Sequence, residues 1–165
     1  MVIYRDTRDK KGKHVNVDSY LERRGHELIY KKLDVGDVMA EELPGVSIDL
    51  KRDLGELSTN LMNRKDHSRF YKEVRRARES GVKLYVLCEH GGQVRGITDV
   101  AAWSNKYSGV SGRALMEEIY RVHISYGVEF LFCDKRSTGR RILEIFETEA
   151  TNGRGRQKAE LSAKP

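Results

Sequence analysis

The chain has 165 residues, 38% of them hydrophobic and 34% charged, a formal net charge of +6 and a pI of about 9.3. That length suits one domain with a single core, and no apolar run approaches the roughly 18 residues that a membrane helix requires. The opening MVIYRDTRDKKGK passes from a short apolar run straight into charge, unlike a signal peptide. A cytoplasmic location is therefore expected, with nucleoid or nuclear association in a eukaryotic host. Arg154, Arg156, Lys158 and Lys164 against Glu160 place +3 of the +6 in the last fifteen residues, which leaves +3 on the body. Such a mildly basic body is compatible with a polyanionic partner.

In chain order, residues 2–4 predict a strand ending in the cluster Asp6-Thr7-Arg8-Asp9, followed by the polar loop KKGKH. Asp18 or Ser19 can cap a short helix over 20–24 that Gly25 ends, and residues 27–33 predict a second strand. Residues 35–51 (VGDVMAEELPGVSIDLK) predict a hairpin turning at Pro44-Gly45, in which Val46, Ile48 and Leu50 alternate with Ser47, Asp49 and Lys51. A helix over 54–62 carries Leu54, Leu57 and Leu61 on one stripe. Another, over 68–79, turns Phe70, Val74 and Ala77 inward and shows Arg69, Lys72, Arg75, Arg76 and Arg78 on its other faces.

Residues 82–88 form a nearly continuous apolar run, the pattern of a doubly buried strand. Residues 91–112, rich in glycine and serine, predict a long surface loop with one helical turn near 100–103. A helix over 113–126, a buried strand over 128–133 and a helix over 138–147 complete a domain spanning 1–150, and residues 151–165 predict a basic, disordered tail. The whole indicates an α/β fold with a mixed sheet. Cys88 and Cys133 are expected as buried free thiols, and Cys88 with His90, the only near pair, lacks the further closely spaced Cys or His partners that a zinc site needs.

The hairpin carries acids where a core would take apolar residues. Two-residue spacing puts Asp49 and Lys51 on one face of their strand, and Asp37 can converge with them at one end of the sheet. Phosphodiester hydrolysis needs a metal to activate water and to neutralise charge building on the phosphate. Mg²⁺ takes hard oxygen ligands, often one or two carboxylates with waters for the rest, and Asp37 and Asp49 supply that minimum; Mn²⁺ suits the same oxygens. Lys51 could orient or help to deprotonate the attacking water, or stabilise the pentavalent phosphate. The D-x(11)-D-x-K spacing alone is a weak signal, since a solvated edge hairpin with an ion pair has the same look. Asp6 adds a further acid at the end of the first strand, and Arg8 could pair with a carboxylate or bind phosphate.

Several motifs in order are more specific than any one. Asp6-Thr7-Arg8-Asp9 resembles the D-x-R-E element of the XPF-type nuclease domain of structure-specific DNA endonucleases, and Leu33-Asp34-Val35-Gly36-Asp37 resembles that family's L-x-V-G-D. Ser47-Ile48-Asp49-Leu50-Lys51 stands where the family has its E-R-K core, a version of the PD-(D/E)xK motif. Glu56-Leu57 and Leu61 are similar to the family's D-L-x-x-S-L, and Ser68-Arg69-Phe70 through Glu73 to its G-R-hydrophobic segment with a polar residue four after the Arg. The stretch YRVHISYGVEFLFCDKRSTGRRILEIF is similar to its later helix, strand and final helix, so the resemblance covers about residues 2 to 147. It departs in two places. The family's Glu-Arg-Lys is Asp49-Leu50-Lys51, and the acid six residues on falls at Gly55, with Glu56 in reach only if one residue is inserted.

The resemblance implies a restriction-endonuclease-like mixed sheet flanked by helices and a Mg²⁺-dependent (or Mn²⁺-dependent) endonuclease acting on branched or flapped DNA. It implies Asp37, Asp49 and Lys51 as the catalytic core, Asp6 as a third metal-site acid, and Arg8, Glu56 and Glu73 in support. Arg69, Arg75, Arg76 and Arg78 are candidate DNA contacts, and a homodimer or heterodimer through residues 113–147 is implied as well. His67 is expected as a surface residue, and Phe70, Trp103 and Tyr107 as core or loop anchors rather than base-stacking platforms. Two alternatives stand beside this: a non-catalytic DNA-binding or scaffold module of the same fold, and a protein-interaction factor whose basic tail recruits nucleic acid or an acidic partner.

Overall fold

The structure, a computed structural model, describes residues 1–9, 13–106 and 109–162; of residues 15, 64–67 and 155–162 it describes the backbone alone. Tyr107 and the side chain of His67 therefore lie outside the described residues. Six strands, β1 (Val2–Asp6), β2 (Glu27–Lys31), β3 (Val38–Ala40), β4 (Val46–Lys51), β5 (Lys83–Cys88) and β6 (Glu129–Phe132), form one sheet in the order β2-β1-β3-β4-β5-β6. β3 runs antiparallel to β1 and β4, and the other pairings are parallel, so the sheet is mixed as expected.

Helices α1 (Val15–Arg23) and α5 (Thr138–Ser162) cover one face, and α2 (Leu54–Met62), α3 (Arg64–Glu79) and α4 (Gly112–Tyr126) cover the other. Strand alternation divides the apolar side chains between the two layers. Val46, Ile48, Leu50, Tyr85 and Leu87 join Val17, Leu21, Ile142 and Phe146, while Leu84, Val86 and Cys88 join the Leu54-Leu57-Leu61 stripe, Phe70, Val74, Leu115 and Ile119. Each of those three leucines is at most 1% exposed, and burying such a side chain contributes roughly 2 kcal/mol. That stripe, with Asp53 capping the Glu56 N–H at 2.8 Å, fixes α2 at its expected bounds.

The differences from expectation have local causes. The first helix begins at Val15, three residues before the expected cap. Asp18 does not cap it but reaches Arg5 (2.8 Å) and accepts from the Tyr30 hydroxyl (3.0 Å). α3 starts at Arg64 rather than near Ser68, and β2 stops at Lys31. Residues 91–112 are not merely a surface loop: a 3₁₀ turn over Ile97–Ala102 buries Val100, and Val94, Ile97, Trp103 and Val110 pack on the core. Gly112 opens α4 so close to this turn that a Cβ there would lie 2.8 Å from the Ala101 carbonyl oxygen. β6 is an edge strand, buried on alternate residues only. α5 runs through Ser162, so the backbone is helical where disorder was expected beyond Asn152.

Cys88 and Cys133 are free and buried, and burial pushes both thiols up. No helix among the described residues is long and apolar enough to cross a membrane.

Candidate active site

A cleft of about 450 Å³ opens where the C-terminal ends of β1 and β4 face α2 and α3. Asp37, Asp49 and Lys51 all line it, so the structure brings the expected trio together. Asp49 and Lys51 project from β4 toward the α2–α3 side, each less than 7% exposed, and their charged ends form an ion pair. The Asp49 carboxyl is pushed up to about 8, by burial first, against the pull of Lys51 and helped by Asp37 and Glu73. The Lys51 ammonium is opposed by burial but held above its ordinary value by Asp49, Asp37 and Glu73, so it keeps its proton. The Phe70 ring lies 5.7 Å from that ammonium and also lines the cleft.

Asp37 precedes β3 and is held by β4. Its N–H donates to the Ile48 carbonyl at 2.8 Å, and its Oδ2 accepts the Leu50 N–H at 2.8 Å. Gly36, at φ +69°, makes the approach possible, since that left-handed backbone suits a residue without Cβ. The Gly36 N–H donates to Glu73 Oε1 at 2.7 Å, which couples α3 to this turn. Buried Ser47 secures it further, its hydroxyl donating to the Val35 carbonyl at 2.7 Å.

Asp6 reaches the cleft wall with both oxygens engaged. Arg8 Nε lies 3.0 Å from each, the Arg8 N–H donates at 2.7 Å, and the Leu33 N–H at 3.3 Å. Burial raises the Asp6 carboxyl, but these bonds outweigh it and hold the group below its ordinary value. Asp6 thereby fixes Arg8, which is about half exposed, at the rim. Glu56 lines the cleft too, yet its Oε1 meets Lys13 Nζ at 3.0 Å and its Oε2 accepts the Arg52 N–H at 2.8 Å. Those partners outweigh its partial burial and lower its pKa.

The four candidate arginines separate. Arg69 and Arg76 line the cleft together with Lys72, while Arg75 and Arg78 do not, and Arg78 donates to the Ser125 carbonyl at 3.3 Å. Positions 69, 72, 73 and 76 share one helical face, a rule that could have sorted them from sequence. Arg5 and Lys13 escaped sequence reasoning, and Asp9 entered it only as the last acid of the D-x-R-E resemblance. Arg5 is 3% exposed on the same face of β1 as Ile3, paired with Asp9 at 3.1 Å and Asp18 at 2.8 Å. A basic residue on the core-facing side of a strand was the available signal, since a buried charge requires partners.

Neither a family model nor a curated protein matches the chain. Among solved structures, XPF from Aeropyrum pernix is similar with a TM-score of 0.67 at 19% identity, over 100% of this chain and 74% of that one. XPF from Aeropyrum pernix in complex with DNA gives 0.66 at 18%, over 92% of this chain and 66% of that one. The fold is that of an XPF-type nuclease domain. Within this XPF-type fold the acids fit a hard divalent cation. Among the described residues no three His, Cys, Asp or Glu side chains close on one ion, but Mg²⁺ needs only one or two carboxylates. Asp49 Oδ2 faces Lys51 without a directed hydrogen bond although it is buried, and Asp37 and Glu73 crowd negative charge against it.

Proposed function

We propose that the chain is a metal-dependent endodeoxyribonuclease, using Mg²⁺ or Mn²⁺ to hydrolyse phosphodiester bonds in branched or flapped DNA. The observation that carries this is the convergence of Asp37, Asp49 and the Lys51 ammonium in a cleft walled by Arg8, Lys13, Arg69, Lys72 and Arg76. The DNA complex of the Aeropyrum pernix XPF supports the ligand class. Asp37 and Asp49 would hold the metal, whose contribution is to polarise the phosphate and lower the pKa of the attacking water. Lys51, kept protonated by its carboxylate neighbours, acts as a fixed cation on a non-bridging phosphate oxygen rather than as a base. Arg69, Lys72 and Arg76 align the DNA backbone along α3, and Arg8 receives a phosphate at the opposite rim. The same reading places a homodimeric or heterodimeric interface on residues 113–147, where Ile124 is 79% exposed and β6 is the sheet edge.

The test is cleavage of a labelled panel (duplex, single strand, flap, fork, four-way junction) with Mg²⁺, Mn²⁺ or EDTA. Selective cutting of one branched form, abolished by EDTA, is the expected result. Tight binding without cutting in either metal would leave the second reading, a DNA-binding module. That reading is favoured by Glu56, which is turned onto Lys13 and Arg52, and by the absence of a side chain at Gly55.

The division of the arginines makes a separate prediction. Arg69→Ala and Arg76→Ala each weaken DNA binding about fivefold and lower the salt slope by about 1, whereas Arg75→Ala and Arg78→Ala leave both near wild type. Binding isotherms at several salt concentrations decide it; equal losses at all four positions would mean that the cleft face of α3 is not the DNA track.

A further inference from the structure

The cations opposite α3 sit on a segment that buried pairs fasten from behind. Arg8 and Lys13 both line the cleft. Near Arg8 the segment is tied by Arg5 to Asp9, side chains 4% and 8% exposed. At Lys13 it is tied by the neighbouring residue: His14 Nδ1 lies 3.1 Å from Glu89 Oε1, with side chains 0% and 2% exposed. Among the described residues His14 Nε2 and Glu89 Oε2 are buried without a hydrogen-bond partner, so each side chain depends on the other.

The backbone of Glu89 is joined to the catalytic strand. Its N–H donates to the Lys51 carbonyl at 2.7 Å. Lys13 in turn meets Glu56 Oε1, while Glu56 Oε2 accepts the N–H of Arg52, the residue after Lys51. A closed circuit therefore runs from Lys51 through Glu89, His14, Lys13 and Glu56 back to Arg52. Surface lysines are ordinarily long and mobile, and fixing one costs side-chain entropy that an exposed ion pair hardly offsets. Here the buried His14–Glu89 pair places the backbone from which Lys13 reaches Glu56.

We propose that Glu89 and His14 are positioning residues that hold the Lys13 ammonium in the cleft as a phosphate contact. They touch no substrate themselves. Removing one member of a buried pair strands the other, so the loss of Glu89 releases His14, and Lys13 with it. The proposal rests on the nuclease reading for its ligand, but the tether can be examined without it.

The experiment is a double-mutant cycle on DNA affinity, in a metal-free buffer that permits no cutting, with Lys13→Ala, Glu89→Ala and the combination. Glu89→Gln serves as the conservative variant, and thermal melts accompany each protein. Lys13→Ala is expected to weaken binding about fivefold and to lower the salt slope by about 1. Glu89→Ala gives the same two changes, the double variant adds nothing further, and Glu89→Gln restores both. Additive losses, or a lower melting temperature with affinity and salt slope unchanged, would overturn the proposal. If Glu89→Ala does not fold, His14→Asn replaces it in the same cycle. Amide hydrogen exchange supplies the arm that needs no DNA: the Val17 amide, which donates to the His14 carbonyl at 2.9 Å, exchanges faster in Glu89→Ala and not in Lys13→Ala. Unchanged exchange would refute the tether. A wild type that binds no DNA would refute the nuclease reading, and exchange alone would then decide the tether.

Discussion

Asp49→Asn is expected to give a folded protein that binds DNA at least as tightly as wild type and cuts it about a thousandfold more slowly or worse. The side chain is nearly isosteric, so the packing of β4 against Val86 of β5 is kept. What is lost is the carboxylate of β4 that would hold the metal together with Asp37. Binding survives because DNA is held by the cations of the cleft wall, and removing an anion can only ease the approach of phosphates. Filter binding and single-turnover cleavage on the same samples check both halves. A variant that still cuts within tenfold of wild type would remove Asp49 from the chemistry.

The same substitution has a pH signature in the metal-free protein. An acid whose folded pKa is raised from 3.8 to about 8 holds a proton in the native state that the unfolded chain has released. The native state then binds more protons than the unfolded state between those values, so stability falls as pH rises through that window. Lys51, held above its ordinary 10.5, contributes stability that is constant below that value and so leaves the window untouched. Asp6 and Glu56, whose pKa values are lowered, contribute stability that is lost only at the acid end. The amide that replaces the carboxyl in the variant cannot titrate. The melting temperature of Asp49→Asn relative to wild type, in EDTA, is therefore expected to rise steadily from about pH 5 to about pH 8. A constant difference would mean that Asp49 titrates alike in the folded and unfolded chains.

The hairpin and its acids were legible because period-2 alternation and a Pro-Gly turn are local signals, and β4 obeys them over six residues. The bounds of α2 were legible for the same reason, a leucine stripe within one short window. Residues 91–112 were not, since Val94, Ile97, Val100 and Trp103 recur every three residues, the repeat of a 3₁₀ turn rather than of an α-helix or a strand, among glycines and serines that read as loop. Asp18 looked like a cap because Asp favours helix starts; its actual partner, Arg5, lies thirteen positions earlier. The contact between His14 and Glu89 spans 75 positions, and no local pattern announces it. The site divides in the same way. The carboxylates and Lys51 could be found in one hairpin, whereas the pairing of Lys13 with Glu56 and of His14 with Glu89 joins chain segments that meet only in the fold.

Gly36→Ala tests the point on which Asp37 depends. Its φ of +69° already penalises an L-residue, by roughly 1–2 kcal/mol. The new Cβ would also run into Ser47 Oγ and lie 2.9 Å from the Ile48 carbonyl oxygen and 3.1 Å from its carbon. Ser47 can rotate only by giving up the Val35 carbonyl, and Ile48 is backbone in a fully buried strand held on both sides. A close-packed interior transmits such a clash rather than absorbing it, so a total loss of about 3–4 kcal/mol in urea unfolding is expected. Gly81 is the control: it has a similar φ of +68° with nothing within 4 Å of its Cβ position. Gly81→Ala should therefore show the backbone penalty alone, about 1 kcal/mol. Equal losses at the two glycines would mean that the turn at 36 can move away from β4. If it cannot, the displaced element is the turn itself, and with it go the Gly36 N–H from Glu73 and the Asp37 carboxylate from the Leu50 N–H. Cleavage by the folded fraction of Gly36→Ala should then fall far more than cleavage by Gly81→Ala, because the backbone that tolerates no Cβ is the backbone that aims the acid.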